Sequence, residues 1–239
     1  IVSQAVADYL GGPGKKVAVA FDTRFMSERF AEAAAGVLQA NNIQALLSDR
    51  AIPTPALSFA VKMKQFDLGI MITASHNPAQ YNGLKIKTAT GAAAGPEVTK
   101  GIEKHLGKSR VKFSKSSVSL IKRENLTSAY IKFIRSYIDL KSMKNKKFRV
   151  LVDAMYGSGN SFIAEVLKGA NIQLDFIRNS INPSFAGIQP EPLEENLQDL
   201  MARVKEEKFD LGIALDGDGD RIAAVSAGGI FIHPQKILG

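Results

Sequence analysis

Cysteine is absent from the 239 residues, which removes disulfides and thiolate metal ligands from consideration and fits a cytoplasmic protein. No apolar run approaches the roughly 20 residues that cross a bilayer, so no membrane partner is expected. The opening stretch Ile1 to Leu10 carries an acid and no basic region, unlike a secretory signal. There is no initiating Met, and the chain stops at Gly239 directly after an apolar turn; the sequence reads as a fragment. What is present is a 45% hydrophobic composition, enough for one large or two ordinary domains with proper cores.

The net charge of +8 favours acidic partners in general. Part of it sits in Lys141, Lys144, Lys146, Lys147 and Arg149, just before an apolar strand. No aromatic platform is interleaved with these cations, as single-strand binders need. They read as a solvated connector, and no nucleic-acid partner is expected.

The segment Phe66-Asp67-Leu68-Gly69-Ile70 recurs letter for letter as Phe209-Asp210-Leu211-Gly212-Ile213. Val37-Leu38 with Asn42-Ile43-Gln44 is echoed by Val166-Leu167 with Asn171-Ile172-Gln173, and the apolar run Val17 to Asp22 by Val150 to Asp153. Three matches in the same order predict two copies of one α/β plan. The first copy reads strand Lys16 to Phe21, helix Ser27 to Ala40, strand Ile43 to Leu47, helix Ala56 to Met63, strand Leu68 to Thr73. The strands are near-continuous apolar runs, which implies burial on both faces and mainly parallel pairing. The expected architecture is therefore two tandem, similar α/β domains, 1–118 and 119–239, each a mainly parallel mixed sheet flanked by helices. The join falls between Lys108 and Asn125; Ser109 to Ser119 reads as a strand plus turn, and Leu126 to Tyr137 as an amphipathic helix opening the second domain.

Ligands of such sheets collect beyond the C-terminal ends of strands, which singles out three loops: Asp22 to Arg24, Thr73 to Pro78 and Asp216 to Arg221. The last, Asp216-Gly217-Asp218-Gly219-Asp220-Arg221, packs three carboxylates into five residues with only glycine between them. The acids repel one another unless a cation sits among them, and the glycines let three oxygens converge on a hard divalent metal. A calcium-binding helix-loop-helix loop needs Gly and Glu where this chain has Arg221 and Ala227. The guanidinium of Arg221 beside the acids suits a phosphate-bearing ligand.

The second loop runs Thr73-Ala74-Ser75-His76-Asn77-Pro78 and then Tyr81-Asn82-Gly83-Leu84-Lys85. Pro78 is tolerated in a first helical turn, so Ser75 is expected near a helix N-terminus whose N–H groups face an anion. A phosphate carried on Ser75 would add a charge of roughly −1.5 to −2, to be matched by metal and cations. The plainer reading has Ser75 and Asn77 capping a helix and Asn82-Gly83 forming a hairpin turn.

The serine loop with Asn82-Gly83-Leu84-Lys85, and the acidic loop, each follow a Phe-Asp-Leu-Gly-Ile strand. Together they resemble the α-D-phosphohexomutase family of phosphoglucomutases and phosphomannomutases. Phe21-Asp22-Thr23-Arg24 with Ser27-Glu28, and Gln189-Pro190-Glu191-Pro192-Leu193, extend the resemblance over nearly the whole chain. It implies a four-domain enzyme that interconverts hexose 1-phosphates and 6-phosphates, of glucose or mannose, through a bisphosphorylated sugar. By that resemblance Ser75 is the phosphoserine, and Asp216, Asp218 and Asp220 hold Mg2+ together with the phosphate on Ser75. Lys85 moves the sugar hydroxyl proton, His76 and Arg221 assist at the phosphoryl group, and Asn77 and Arg24 bind substrate phosphate. Glucose 1,6-bisphosphate is the implied activator and intermediate, and hexose phosphate the implied ligand. The family's N-terminal arginine loop and its third and fourth domains, which read the sugar, lie outside this chain, so little turnover is expected from the fragment alone. The rival expectation is a non-catalytic protein that keeps the fold and metal site for binding or regulation; an intact Ser75, Lys85 and acid triad speak against it.

Overall fold

The computed structural model describes residues 1–144, 147–159 and 161–238, and these form two compact units. Lys146 of the basic cluster and the terminal Gly239 lie outside the described residues. The first unit comprises 1–22, 26–73 and 83–127; the second comprises 128–239 together with two short excursions of the N-terminal half, 23–25 and 74–82.

In the first unit the elements are α1 (Val2–Leu10), β1 (Lys16–Phe21), α2 (Ser27–Ala40), β2 (Gln44–Ser48), α3 (Thr54–Met63), β3 (Leu68–Ile72), β4 (Leu84–Thr88), α4 (Pro96–Glu103), α5 (Lys115–Ser119) and β5 (Lys122–Glu124). The sheet order is β4-β3-β1-β2-β5, with only β4 antiparallel to its neighbour. Val17, Val19, Leu47 and Ile70 are fully buried between helical layers, which explains why these strands lack polar alternation.

The second unit contains α6 (Ser128–Tyr137), β6 (Phe148–Asp153), α7 (Phe162–Leu167), β7 (Ile172–Ile177), α8 (Gln198–Glu206), β8 (Leu211–Leu215), β9 (Ile222–Ser226), β10 (Phe231–Ile232) and α9 (Pro234–Leu238). Its sheet order is β10-β9-β8-β6-β7, the first unit's central pattern with the extra strand on the opposite edge. Its core gathers Leu151, Met155, Leu197, Leu200, Val204 and Phe209. Among the described residues no helix is long and apolar enough to cross a membrane.

The repeated pentapeptide has a repeated physical job. Asp67 accepts the Lys16 N–H at 2.9 Å, and Asp210 accepts the Arg149 N–H at 2.8 Å; each acid takes up an N–H in the first two residues of the central strand. Arg149, one of the basic cluster, lies over Phe209 with Cζ 4.4 Å from the ring centroid. The pentapeptide glycine leaves room for a helix: a Cβ on Gly69 would stand 2.6 Å from Val61 Cγ2, and one on Gly212 2.8 Å from Val204 Cγ2. Gly212→Ala is therefore expected to destabilise the protein by about 1–3 kcal/mol, the usual cost of overpacking, read as a lower urea midpoint.

Three local expectations are corrected. Val17 and Val150 each pair with the first Leu of their pentapeptide, Leu68 and Leu211. Asp153 therefore stands level with Ala20, which pairs with Met71 as Asp153 pairs with Ala214. The echo of Asp22 by Asp153 is out of register by two residues. Within 109–119 there is no strand; Ser114 and Ser117 close a reciprocal capping box that starts α5, and the edge strand β5 follows it. Asn82-Gly83 does not form a two-residue hairpin turn, because β3 and β4 are joined by the whole stretch 73–83, closed by Thr73 N–H on Gly83 O at 3.0 Å.

Candidate functional site

The acidic loop begins where strand β8 leaves the sheet, and it joins β8 to antiparallel β9. Asp216 organises it: its Oδ1 accepts the N–H groups of Asp220 at 2.9 Å and Arg221 at 3.0 Å. Gly217 donates to Pro190 O, and its own carbonyl accepts from Ser158 N–H. The backbone is thus tied on both sides before any side chain is considered.

Asp216 and Asp218 are fully buried, Asp220 is exposed, and one carboxylate oxygen from each lies within 4.8 Å of the others. Burial, then the charges of Asp218 and Asp220, push the Asp216 carboxyl up to about 8. Three carboxylates brought this close, two of them buried, fit a hard divalent cation with oxygen ligands, which would offset their mutual repulsion. Since the Asp216 proton must leave for a cation to enter, Mg2+ affinity is expected to rise with pH towards about 8. Calorimetric titrations at pH 6 and pH 8 check this; equal affinities would contradict it.

Ser75 meets this cluster inside the second unit. It is 7% exposed, and its Oγ donates towards Asp218 Oδ1 at 3.0 Å and Asp216 Oδ2 at 3.3 Å. No helix follows it: residues 75–81 form turns, with Asn77 N–H on Ala74 O and Tyr81 N–H on Pro78 O. Ser75 itself adopts a left-handed φ of 56°, uncommon for a residue with a Cβ. The expected helix is replaced because the carbonyls of Ser75, Asn77, Pro78 and Tyr81 all turn to the guanidinium of Arg24, at 2.7, 2.7, 2.9 and 3.1 Å. In a helix they would turn to N–H groups along the axis instead. Opposite Ser75, a Cβ on Gly217 would stand 2.6 Å from Ser75 O, so the close approach of the two loops requires glycine there.

The remaining sequence candidates divide between the units. His76 Nε2 lies 3.8 Å from Glu191 Oε1, and Arg221 Nη1 donates to that same oxygen at 2.6 Å. Lys85 belongs to the first unit, in β4 opposite Met71. In that unit Asp22 accepts Ser27 Oγ and Thr73 Oγ1, both at 2.7 Å; it braces the strand ends from which the two excursions depart. Sequence reasoning named the run holding Glu191 but not its role as the acid shared by His76 and Arg221. The available signal was an acid fixed between Pro190 and Pro192. A cavity of about 570 Å³ opens beside this group, lined among others by Glu191, Leu193, Asp220, Arg221, Phe231 and His233, large enough for a small ligand.

Comparison with known proteins finds two family models. Residues 1–112 match phosphoglucomutase/phosphomannomutase, alpha/beta/alpha domain I, and residues 128–229 match alpha/beta/alpha domain II of the same family. A Methanosphaera stadtmanae protein named as a probable phosphoglucosamine mutase is 34% identical over 238 residues, 99% of this chain and 52% of its own length. A Pseudomonas syringae phosphomannomutase/phosphoglucomutase is 31% identical over 188 residues, 78% of this chain and 39% of its own. The crystal structure of a candidate phosphomannomutase from Thermus thermophilus aligns with a TM-score of 0.91 at 34% identity, covering 99% of this chain and 54% of that one. The chain thus spans about half the length of the relatives it matches.

Proposed function

Because the chain belongs to the phosphoglucomutase/phosphomannomutase family, we propose that it supplies the phosphoryl-carrying and metal-binding parts of a phosphohexomutase. Such an enzyme interconverts hexose 1-phosphates and 6-phosphates through a bisphosphorylated sugar. The observation that carries this reading is the aim of the Ser75 hydroxyl at two buried carboxylates, Asp216 and Asp218. A serine that only needed a hydrogen bond would not require two buried acids at a place where their charge is costly.

In this reading Ser75 Oγ carries the phosphoryl group. The Oγ–P bond breaks as a bond from phosphorus to a sugar oxygen forms, and the sugar hydroxyl proton passes to Lys85, a role given by the family motif. Asp216, Asp218 and Asp220 would hold Mg2+, which would supply charge neutralisation for the transferring phosphoryl group. Glu191 keeps the Arg221 guanidinium beside the acidic loop, where its positive charge can meet a phosphate.

The relatives named above are described for glucosamine, mannose and glucose phosphates, sugars that differ at C2. The test is conversion by the full-length protein of each of the three hexose 1-phosphates to the 6-phosphate, with Mg2+ and glucose 1,6-bisphosphate present. Turnover of at least one, abolished by a chelator and restored by Mg2+, is expected. No turnover of any of them by a folded, Mg2+-binding protein would overturn the reading.

A further inference from the structure

Arg24 is 3% exposed, and four bonds from its two terminal nitrogens go to backbone carbonyls of one loop: Nη2 to Ser75 O and Asn77 O, Nη1 to Pro78 O and Tyr81 O. Its guanidinium carbon lies 4.9 Å from the ring centroid of fully buried Phe185, so the plane is supported from a third segment. The adjacent Thr23 donates to Tyr156 O at 2.8 Å. The next turn returns to the acidic loop through Ser158 N–H on Gly217 O at 3.0 Å. One short excursion, 23–25, therefore ties the serine loop and the acidic loop to a common support.

We propose that Arg24 is the positioning residue of the serine loop. Its fork of donors gathers four carbonyls, holds Ser75 in its left-handed conformation and so aims Oγ at Asp216 and Asp218. The role differs from binding substrate phosphate, the part the family resemblance suggested for Arg24. Lysine cannot replace it: an ammonium is a point donor with three hydrogens, whereas the planar guanidinium spreads five across a fixed fork. The catalytic half of the inference rests on Ser75 being the phosphoryl carrier; the geometric half does not.

Arg24→Lys in the full-length protein separates the possibilities, read by amide exchange over 74–82, by Mg2+ affinity, and by kcat and KM for the hexose phosphate. The Asn77 and Tyr81 amides are expected to exchange about tenfold faster or more, with the β6 and β8 amides unchanged. Loss of aim at Ser75 is expected to lower kcat about 100-fold, with KM within about twofold of the wild type. Unchanged protection of 74–82 would overturn the proposal, as would a raised KM with kcat intact, the signature of a lost substrate contact. A lower melting temperature with normal kcat in the folded fraction would also overturn it, since that is all a merely structural arginine gives. Should Arg24→Lys not fold, Phe185→Leu keeps the fork and removes its support; intermediate loss of protection at 74–82 is then expected, and none would contradict the proposal. If wild-type Ser75 accepts no phosphate, the proposed function fails while the exchange data still decide whether Arg24 holds the loop.

Discussion

Ser75→Ala is expected to abolish phosphoryl acceptance from a hexose bisphosphate while leaving the fold in place. The substitution removes one hydroxyl and no apolar packing, and its stability cost should be no more than about 1 kcal/mol. Since the phosphoryl group has no other carrier in this mechanism, the loss in turnover should reach the assay floor rather than a fixed factor. Circular dichroism and a Mg2+ titration on the same sample show whether fold and metal site persist. Residual turnover above about one-thousandth of the wild type would mean that another group carries the phosphate.

Asp218→Asn should move two observables in opposite directions. In the metal-free protein, removing this buried charge relieves the repulsion that helps push Asp216 up to about 8, so stability at neutral pH should stay level or increase. Mg2+ affinity should fall by more than about 100-fold, since even outer-shell changes at metal sites cost about 10–100-fold. Saturating Mg2+, at about 100 times its Kd, should stabilise the wild type by about 2.7 kcal/mol. For a chain of this size that corresponds to a melting temperature about 5–10 °C higher. The variant at the same Mg2+ concentration should show almost none of this. A variant destabilised without metal, yet still responding to Mg2+, would show that Asp218 is a structural hydrogen-bonding group.

The sheets are legible in the sequence because their strands leave near-continuous apolar runs, buried on both faces in β1 and β3 though only half-buried at alternate positions of β8, and because the pentapeptide repeats for a physical reason. Asp67 and Asp210 each take up an N–H at the start of a central strand, within its first two residues, while Gly69 and Gly212 each admit a helical valine. The acid triad is legible because carboxylates interleaved with glycine have few uses apart from cation binding. The conformation around Ser75 is not. A helix there follows from a local signal, Pro78, whereas a distant side chain, Arg24, sets the backbone. Nothing within 73–83 reports that four of its carbonyls are gathered by a guanidinium some fifty residues earlier in the chain. The same holds for Glu191, whose pairing with Arg221 across thirty residues is a tertiary fact that no periodicity encodes. The Asp22 and Asp153 echo fails for a related reason: similar composition at strand ends conceals register, which only the pairing partners fix.

The assignment of Ser75 as phosphoryl carrier is open to phosphopeptide mapping of the full-length protein after incubation with glucose 1,6-bisphosphate, with and without Mg2+. A single phosphorylated residue is expected, Ser75, labelled only when Mg2+ is present and discharged on addition of a hexose monophosphate. Phosphate on any other residue, or none on Ser75 in a folded protein that binds Mg2+, would contradict the assignment.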